Sequence, residues 1–175
     1  DGPDAEPLTA AFDAGGRLVA TKQLTPAATA TYAERSLDYD ETGRLRHDRA
    51  TDAVGSTLEI AYTYDADPAR NCIGRLCDVT EPSGRSTRLS YDAFGRLTGE
   101  EVTLGTGPTA ITATTGYEYT PNGRLRAMTY PLTGARVEYG DPAGEVDPDR
   151  PAKVLRAGAV LMSAVRYFPL QEQVR

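Results

Sequence analysis

A seven-residue frame recurs along this chain and limits what it can fold into. Phe12-Asp13-Ala14-Gly15-Gly16-Arg17-Leu18, Tyr39-Asp40-Glu41-Thr42-Gly43-Arg44-Leu45, Tyr91-Asp92-Ala93-Phe94-Gly95-Arg96-Leu97 and Tyr119-Thr120-Pro121-Asn122-Gly123-Arg124-Leu125 all share it. Tyr64-Asp65 reaches its own Gly74-Arg75-Leu76 only after an insertion. The arginines fall at 17, 44, 75, 96 and 124, so successive steps are 27, 31, 21 and 28 residues. A sixth, decayed copy starts at Tyr139, with Gly144-Glu145-Val146 in the place of Gly-Arg-Leu. Self-similarity at such a period marks a repeat architecture in which each copy is one supersecondary unit.

The frame reads as the tip of a β-hairpin. In the second copy Asp40 suits the first position of a type I turn, because its carboxylate accepts backbone N–H groups, and Glu41 and Thr42 take the central positions. Gly43 then supplies the positive φ that closes the turn as a bulge. Counting outward, Asp40 faces Arg44 and Tyr39 faces Leu45, which places an opposite-charge pair on one face and an apolar pair on the other. The same count pairs Asp13 with Arg17, Asp92 with Arg96, Phe12 with Leu18, Tyr91 with Leu97 and Tyr119 with Leu125. Each exposed ion pair contributes roughly 0.2–1 kcal/mol and each buried aromatic–aliphatic pair several times that, so packing is expected to dominate.

The segments between tips alternate as half-buried strands do. Leu58, Ile60, Tyr62 and Tyr64 share a face, as do Leu89 with Tyr91, Tyr117 with Tyr119, and Val137 with Tyr139. A second set of turn signals lies between the tips, at Asp52-Ala53-Val54-Gly55, Glu81-Pro82-Ser83-Gly84, Gly105-Thr106-Gly107-Pro108 and Pro131-Leu132-Thr133-Gly134. The expected fold is all-β, an antiparallel up-and-down array of repeated hairpins with strands of about eight to ten residues. Composition agrees: 17 Gly and 12 Pro punctuate a chain that is 39% hydrophobic and has no Trp. Val154 to Val165 is the one helical candidate, and Gly158 interrupts it. Residues 1–10 are expected to be a flexible lead-in and 11–175 the repeat sheet.

These heptads resemble the signature of the YD-repeat, or RHS-repeat, family, Tyr-Asp-x-x-Gly-Arg-Leu. The resemblance runs from about Phe12 to Tyr139, and Ala164-Val165-Arg166-Tyr167-Phe168-Pro169-Leu170 is similar to a further strand-plus-Pro unit. It implies a curved, spiralling β-sheet wound into a hollow shell, as in bacterial RHS polymorphic toxins, the cocoon of insecticidal toxin complexes and the teneurin barrel. Phe12 in place of Tyr, Thr120 in place of Asp and the swelling at 66–73 depart from the pattern at single tips.

Few residues offer chemistry. Cys72 and Cys77 flank Ile73-Gly74-Arg75-Leu76, and five residues around a turning Gly allow the Cα separation of about 4.4–6.8 Å that a disulfide needs. Bridged and unbridged states both stay open on spacing alone; two thiolates without a nearby His leave a zinc site short of ligands. A bridge would place the chain outside a reducing cytosol. Asp141, Glu145, Asp147 and Asp149 read as a solvated loop, because they lack EF-hand spacing. Asp141-Pro142-Ala143-Gly144-Glu145 partly resembles the family's DPxGL self-cleavage element, with Glu145 where an apolar residue belongs. His47 sits on an exposed strand face. Ser56 and Ser83 lie in turns without a nucleophile elbow, and Gly105-Thr106-Gly107 lacks the Lys-Ser/Thr of a phosphate loop. Most of the ten tyrosines are expected to pack with Leu and Val rather than to stack on sugars.

The expected role is structural, with no catalytic residues, no metal and no cofactor. Nineteen Lys and Arg against 25 Asp and Glu give a net charge of −6, which argues against nucleic acid as a partner. No stretch approaches the about 18 consecutive apolar residues of a membrane span. An open hairpin array exposes unpaired backbone at both edges, so the segment is expected to meet neighbouring repeats of the same polypeptide or caps. The resemblance implies a wall that encloses or displays a cargo such as a C-terminal toxin domain, secreted from or carried on the surface of a bacterium. A recognition module for a surface glycan or protein, built on the enlarged tip or the exposed face, is the alternative. A self-cleaving or toxic enzyme is the third reading, and the residues favour it least.

Overall fold

The computed structural model describes residues 8–24, 32–52, 54–139 and 151–163. They form thirteen strands: β1 (Leu8–Phe12), β2 (Leu18–Leu24), β3 (Tyr32–Tyr39), β4 (Leu45–Thr51), β5 (Thr57–Tyr64), β6 (Leu76–Thr80), β7 (Ser86–Tyr91), β8 (Leu97–Leu104), β9 (Ile111–Tyr119), β10 (Leu125–Thr129), β11 (Ala135–Tyr139), β12 (Pro151–Arg156) and β13 (Ala159–Met162). Two short 3-10 turns, Pro68–Arg70 and Gly107–Thr109, are the helical elements among the described residues. The chain divides into two compact units, one holding β1 to β6 and the other β9 to β13, while β7 and β8 have residues in both. In each unit sheet order follows chain order, antiparallel throughout, so the fold is an all-β up-and-down array.

Register sorts the side chains of the first unit onto two unlike faces. Leu37 pairs with Asp48 and Asp48 with Ile60; Ala50 pairs with Leu58, and Tyr62 with Val79. Among these apolar residues the same face carries an ion pair: Arg35, opposite Ala50, and Asp48, whose carboxylate takes both ends of the Arg35 guanidinium at 2.8 and 2.6 Å. On the opposite face Asp38 pairs with His47 and Ser36 with Arg49, which in turn faces Glu59 and donates to it at 2.8 Å. Period-two alternation produces this segregation directly, since opposed residues of antiparallel strands project to the same side.

The second unit repeats the division. Tyr117, Met128, Val137 and Val154 stand opposite one another across four strands, and Met162 pairs with Val154 on a fifth. The reverse face carries Glu118, Glu138, Arg136 and Lys153. Arg136 bridges both carboxylates, at 2.8 Å to Glu118 and 3.2 Å to Glu138, and Lys153 reaches Glu138 at 3.7 Å.

Several expectations change. The apolar face is only half-buried, because each unit is one layer and a sheet buries a face only against a second layer. Cys72, Cys77, Ala127 and Ala152 are the buried hydrophobic residues described; the tip tyrosines are half-buried and Phe12 is 61% exposed. The helical candidate at Val154 is instead the β12–β13 hairpin, closed by Ala157 and Gly158 at φ of 48° and 80°. Strands have four to nine residues, shorter than expected at many positions. β1 begins at Leu8, inside the segment expected to be a lead-in. Gly144-Glu145-Val146 of the decayed copy, the acidic run from Asp141 to Asp149 with its cleavage-like motif, and the tail at 164–170 lie outside the described residues.

Candidate functional site

The recurrent heptads are hairpin tips of one design. In the copies at Asp13, Asp40 and Asp92, the aspartate amide donates to the arginine carbonyl four residues on at 2.9 Å, and the glycine amide returns to the aspartate carbonyl at 3.0, 2.9 and 2.9 Å. Gly16, Gly43, Gly95 and Gly123 have φ of 78°, 87°, 82° and 90°, a region open to glycine at little cost. One carboxylate oxygen of Asp40 accepts the Thr42 and Arg44 amides at 2.9 Å each, and the other accepts Nε of Arg44 at 2.7 Å. Asp13 with Arg17 and Asp92 with Arg96 repeat the ion pair at 2.7 and 2.6 Å. The flanking residues pair as Phe12 with Leu18, Tyr39 with Leu45, Tyr64 with Leu76 and Tyr119 with Leu125. Thr120 keeps the frame without a carboxylate: its Oγ1 accepts the Arg124 amide at 3.0 Å.

Three of the arginines, Arg17, Arg44 and Arg96, then reach forward to the next tip. Cζ of Arg17 lies 4.9 Å from the centre of the Tyr39 ring, that of Arg44 4.5 Å from Tyr64, and that of Arg96 4.8 Å from Tyr119. Polar contacts continue the reach. Nη2 of Arg44 donates to Asp65 at 2.7 Å, Nη1 of Arg96 donates to the Thr120 carbonyl at 3.0 Å, and the Tyr39 hydroxyl donates back to the Leu18 carbonyl at 2.9 Å. A Cβ on Gly43 would sit 2.8 Å from Nη1 of Arg17, so this glycine provides close approach as well as its backbone angle. The arginines therefore do not stay on a charged face opposite the tyrosines, as outward counting predicts. They join own-tip aspartate to next-tip aromatic, which satisfies the cation twice.

The carboxylates respond. The Arg44 amide, then the Thr42 hydroxyl and the Arg44 side chain, hold Asp40 far below the usual carboxylate range against the opposing pull of burial. Asp13 is lowered first by the Arg17 amide, and Asp65 first by the Gly74 amide and next by Arg44.

The enlarged third tip is built differently. Asp65 takes a φ of 58° and its amide reaches the Arg75 carbonyl at 3.3 Å, so Asp65 and Arg75 still close the hairpin. Between them Asp67 caps the Pro68–Arg70 turn, accepting the Ala69 amide at 2.9 Å, and Asn71 ends it at φ 53°. Arg70 fastens this turn to β6, donating to Asp78 at 3.0 and 2.8 Å and to the Cys77 carbonyl at 3.1 Å. Cys72 and Cys77 form a disulfide with Cα atoms 5.4 Å apart, and neither residue is exposed. Gly74 donates its amide to Asp65, while Arg75 turns back toward the carbonyls of Asn71 and Ile73 at 3.3 and 3.1 Å.

Other sequence candidates have ordinary surroundings. His47 is half-buried on the polar face, with Nδ1 3.1 Å from Asp38 and Nε2 3.7 Å from Glu59, and the contact lowers Asp38. The Ser56 amide serves the Asp52 turn, Ser83 Oγ accepts the Arg85 amide at 3.4 Å, and Gly107 opens a 3-10 turn. Among the described residues no group of three His, Cys, Asp or Glu side chains is placed to hold a metal, and no helix is long and apolar enough to cross a membrane. A groove of about 540 Å³ beside the second tip is lined by Tyr39, Glu41, Arg46, His47 and Tyr62 among others. Sequence reasoning missed the forward reach of the arginines. Its signal was present: every tip that sends an arginine onward precedes a tip that opens with tyrosine.

The model of the RHS Repeat family matches residues 73–109. The double-stranded DNA deaminase toxin A of Burkholderia cenocepacia (strain H111) is 38% identical over 74 residues, which are 42% of this chain and 5% of that protein. In the crystal structure of TcdB2-TccC3-TEV a similar fold covers 90% of this chain and 8% of that one, with a TM-score of 0.63 and 18% identity. The chain therefore spans a small fraction of the proteins it matches.

Proposed function

We propose that this chain, whose residues 73–109 match the RHS Repeat family, is a length of RHS-repeat wall in a larger β-shell enclosing a polypeptide cargo such as a toxin domain. The observation that carries the reading is the forward reach of the tip arginines. The hairpins of Arg17, Arg44 and Arg96 each close their own turn and grip the next, so stability comes from neighbours in series rather than from a central core. Such a wall extends by adding hairpins without changing its chemistry. Continuous backbone pairing and linked tips raise the cost of local opening, which keeps a cargo sequestered until a trigger. The unlike faces support the assignment: the ionic face is suited to water, and the half-buried apolar face to contents. The toxin relative supports a toxin cargo, and the disulfide supports a life outside a reducing cytosol, as a secreted or surface protein of a bacterium.

Limited proteolysis of the full polypeptide that carries residues 8–163 tests this. The expected result is a C-terminal segment protected in the intact protein and digested at least about tenfold faster in an Arg44→Ala/Arg96→Ala variant that loosens the tips. Digestion of that segment at the rate of the same segment made alone would overturn enclosure. Glycan binding by the segment without any protected cargo would favour surface recognition instead.

A further inference from the structure

The insertion between Asp65 and Cys77 concentrates constraints that the repeat itself does not need. Its disulfide is fully buried, and the ring it closes holds Gly74, Arg75 and Leu76, the residues that complete the third tip. Inside that ring the Arg75 amide donates to the Cys72 carbonyl at 3.0 Å, and the Gly74 amide is aimed at Asp65. The second oxygen of the same carboxylate receives Arg44 from the preceding tip. One bond therefore lies two contacts from the link between neighbouring hairpins.

We propose that the Cys72–Cys77 disulfide is a redox latch on this link: oxidised, it fixes the Gly74 amide beneath Asp65 and so holds Asp65 for Arg44; reduced, it releases both. A global staple fits less well. Loop-closure stabilisation grows with the length of chain enclosed, and this ring spans only residues 72–77. Its weight is local, on the orientation of a few amides. Burial of both sulfurs sets the order of events, because a thiolate must wait for the loop to breathe before it can attack. The reductant is a dithiol of the kind that keeps a cytosol reduced. Its first thiolate attacks one sulfur to give a mixed disulfide, and its second displaces the protein thiolate. Two electrons and two protons pass to Cys72 and Cys77, which end as thiols, while the dithiol leaves as its cyclic disulfide. A wall assembled in an oxidising space would then slacken at its third tip on entering a reducing one. This inference goes beyond cargo enclosure, and its test reads the wall alone.

The test treats the 175-residue chain with dithiothreitol at neutral pH without denaturant, counts alkylated thiols by mass, and measures amide exchange before and after. Expected are two adducts, exchange about tenfold or more faster across 65–77, a smaller rise of about threefold across 40–45, and no change across 119–129. A Cys72→Ser/Cys77→Ser variant should reproduce that pattern without reductant. Resistance to reduction over hours, or full reduction with unchanged exchange, would overturn the latch. Unfolding of the reduced protein or of the serine variant would make the bridge a global staple and overturn it equally.

Discussion

The smallest unit of this fold is an aspartate and a glycine three residues apart. Aspartate gathers the amides of the turn and glycine supplies a left-handed angle, and both choices were legible in the sequence because they are local. Gly95 has φ 82°, a region that costs other residues about 1–2 kcal/mol and more when they are β-branched. Gly95→Val is therefore expected to lower stability by at least about 1–2 kcal/mol, while Ala93→Ser in the same exposed turn stays within about 0.5 kcal/mol. Equal denaturant midpoints for the two variants would contradict the turn assignment. The carboxylates make a second prediction. Asp13, Asp40 and Asp65 all have folded-state pKa values below the ordinary one. Their contribution is thus complete above the unfolded value near 4 and is lost as pH falls through the folded values. Thermal scans should show no tip-dependent loss between pH 7 and 5 and a progressive fall below about pH 4. A fall centred near pH 6 would assign acid sensitivity to other groups.

Among the elements, the hairpins were readable and their joints were not. Tyr39 opposite Leu45 follows from counting outward from a turn. The destination of Arg44 does not, because its partners Tyr64 and Asp65 belong to the next hairpin, and only three-dimensional stacking brings them within 4.5 and 2.7 Å. The insertion was legible only as a swelling of the third tip at 66–73; the structure adds that Asp67 caps a 3-10 turn at Pro68–Arg70. Its fastening to β6 by Arg70 and Asp78 carries no such local signal. If the joints work as described, Arg96→Ala and Tyr119→Leu should be coupled. A double-mutant cycle is expected to return about 0.5–1 kcal/mol, the scale of an exposed cation–π contact. Additivity within about 0.3 kcal/mol would mean the stacking is geometric only.

At the scale of the whole molecule, alternation along the strands announced one apolar and one ionic face, and registers such as Tyr117–Met128–Val137–Val154 produce them. Burial was overestimated because alternation reports which side a residue faces, whereas burial depends on what lies over that side. A half-buried face of this kind predicts that the isolated chain binds a hydrophobic dye and self-associates as concentration rises, and that the cargo-loaded protein does neither. Sedimentation velocity across a concentration series checks this; a dye-silent monomer at all concentrations would argue against a face made to be covered. The central claim is that these hairpins form a wall with contents on its apolar side. A cryo-electron microscopy reconstruction of the full polypeptide tests it most directly. The account predicts residues 8–163 within a closed β-shell, with polypeptide density against Tyr62 and Tyr117 and solvent beyond Arg49 and Arg136. The same hairpins with both faces open to solvent would contradict it.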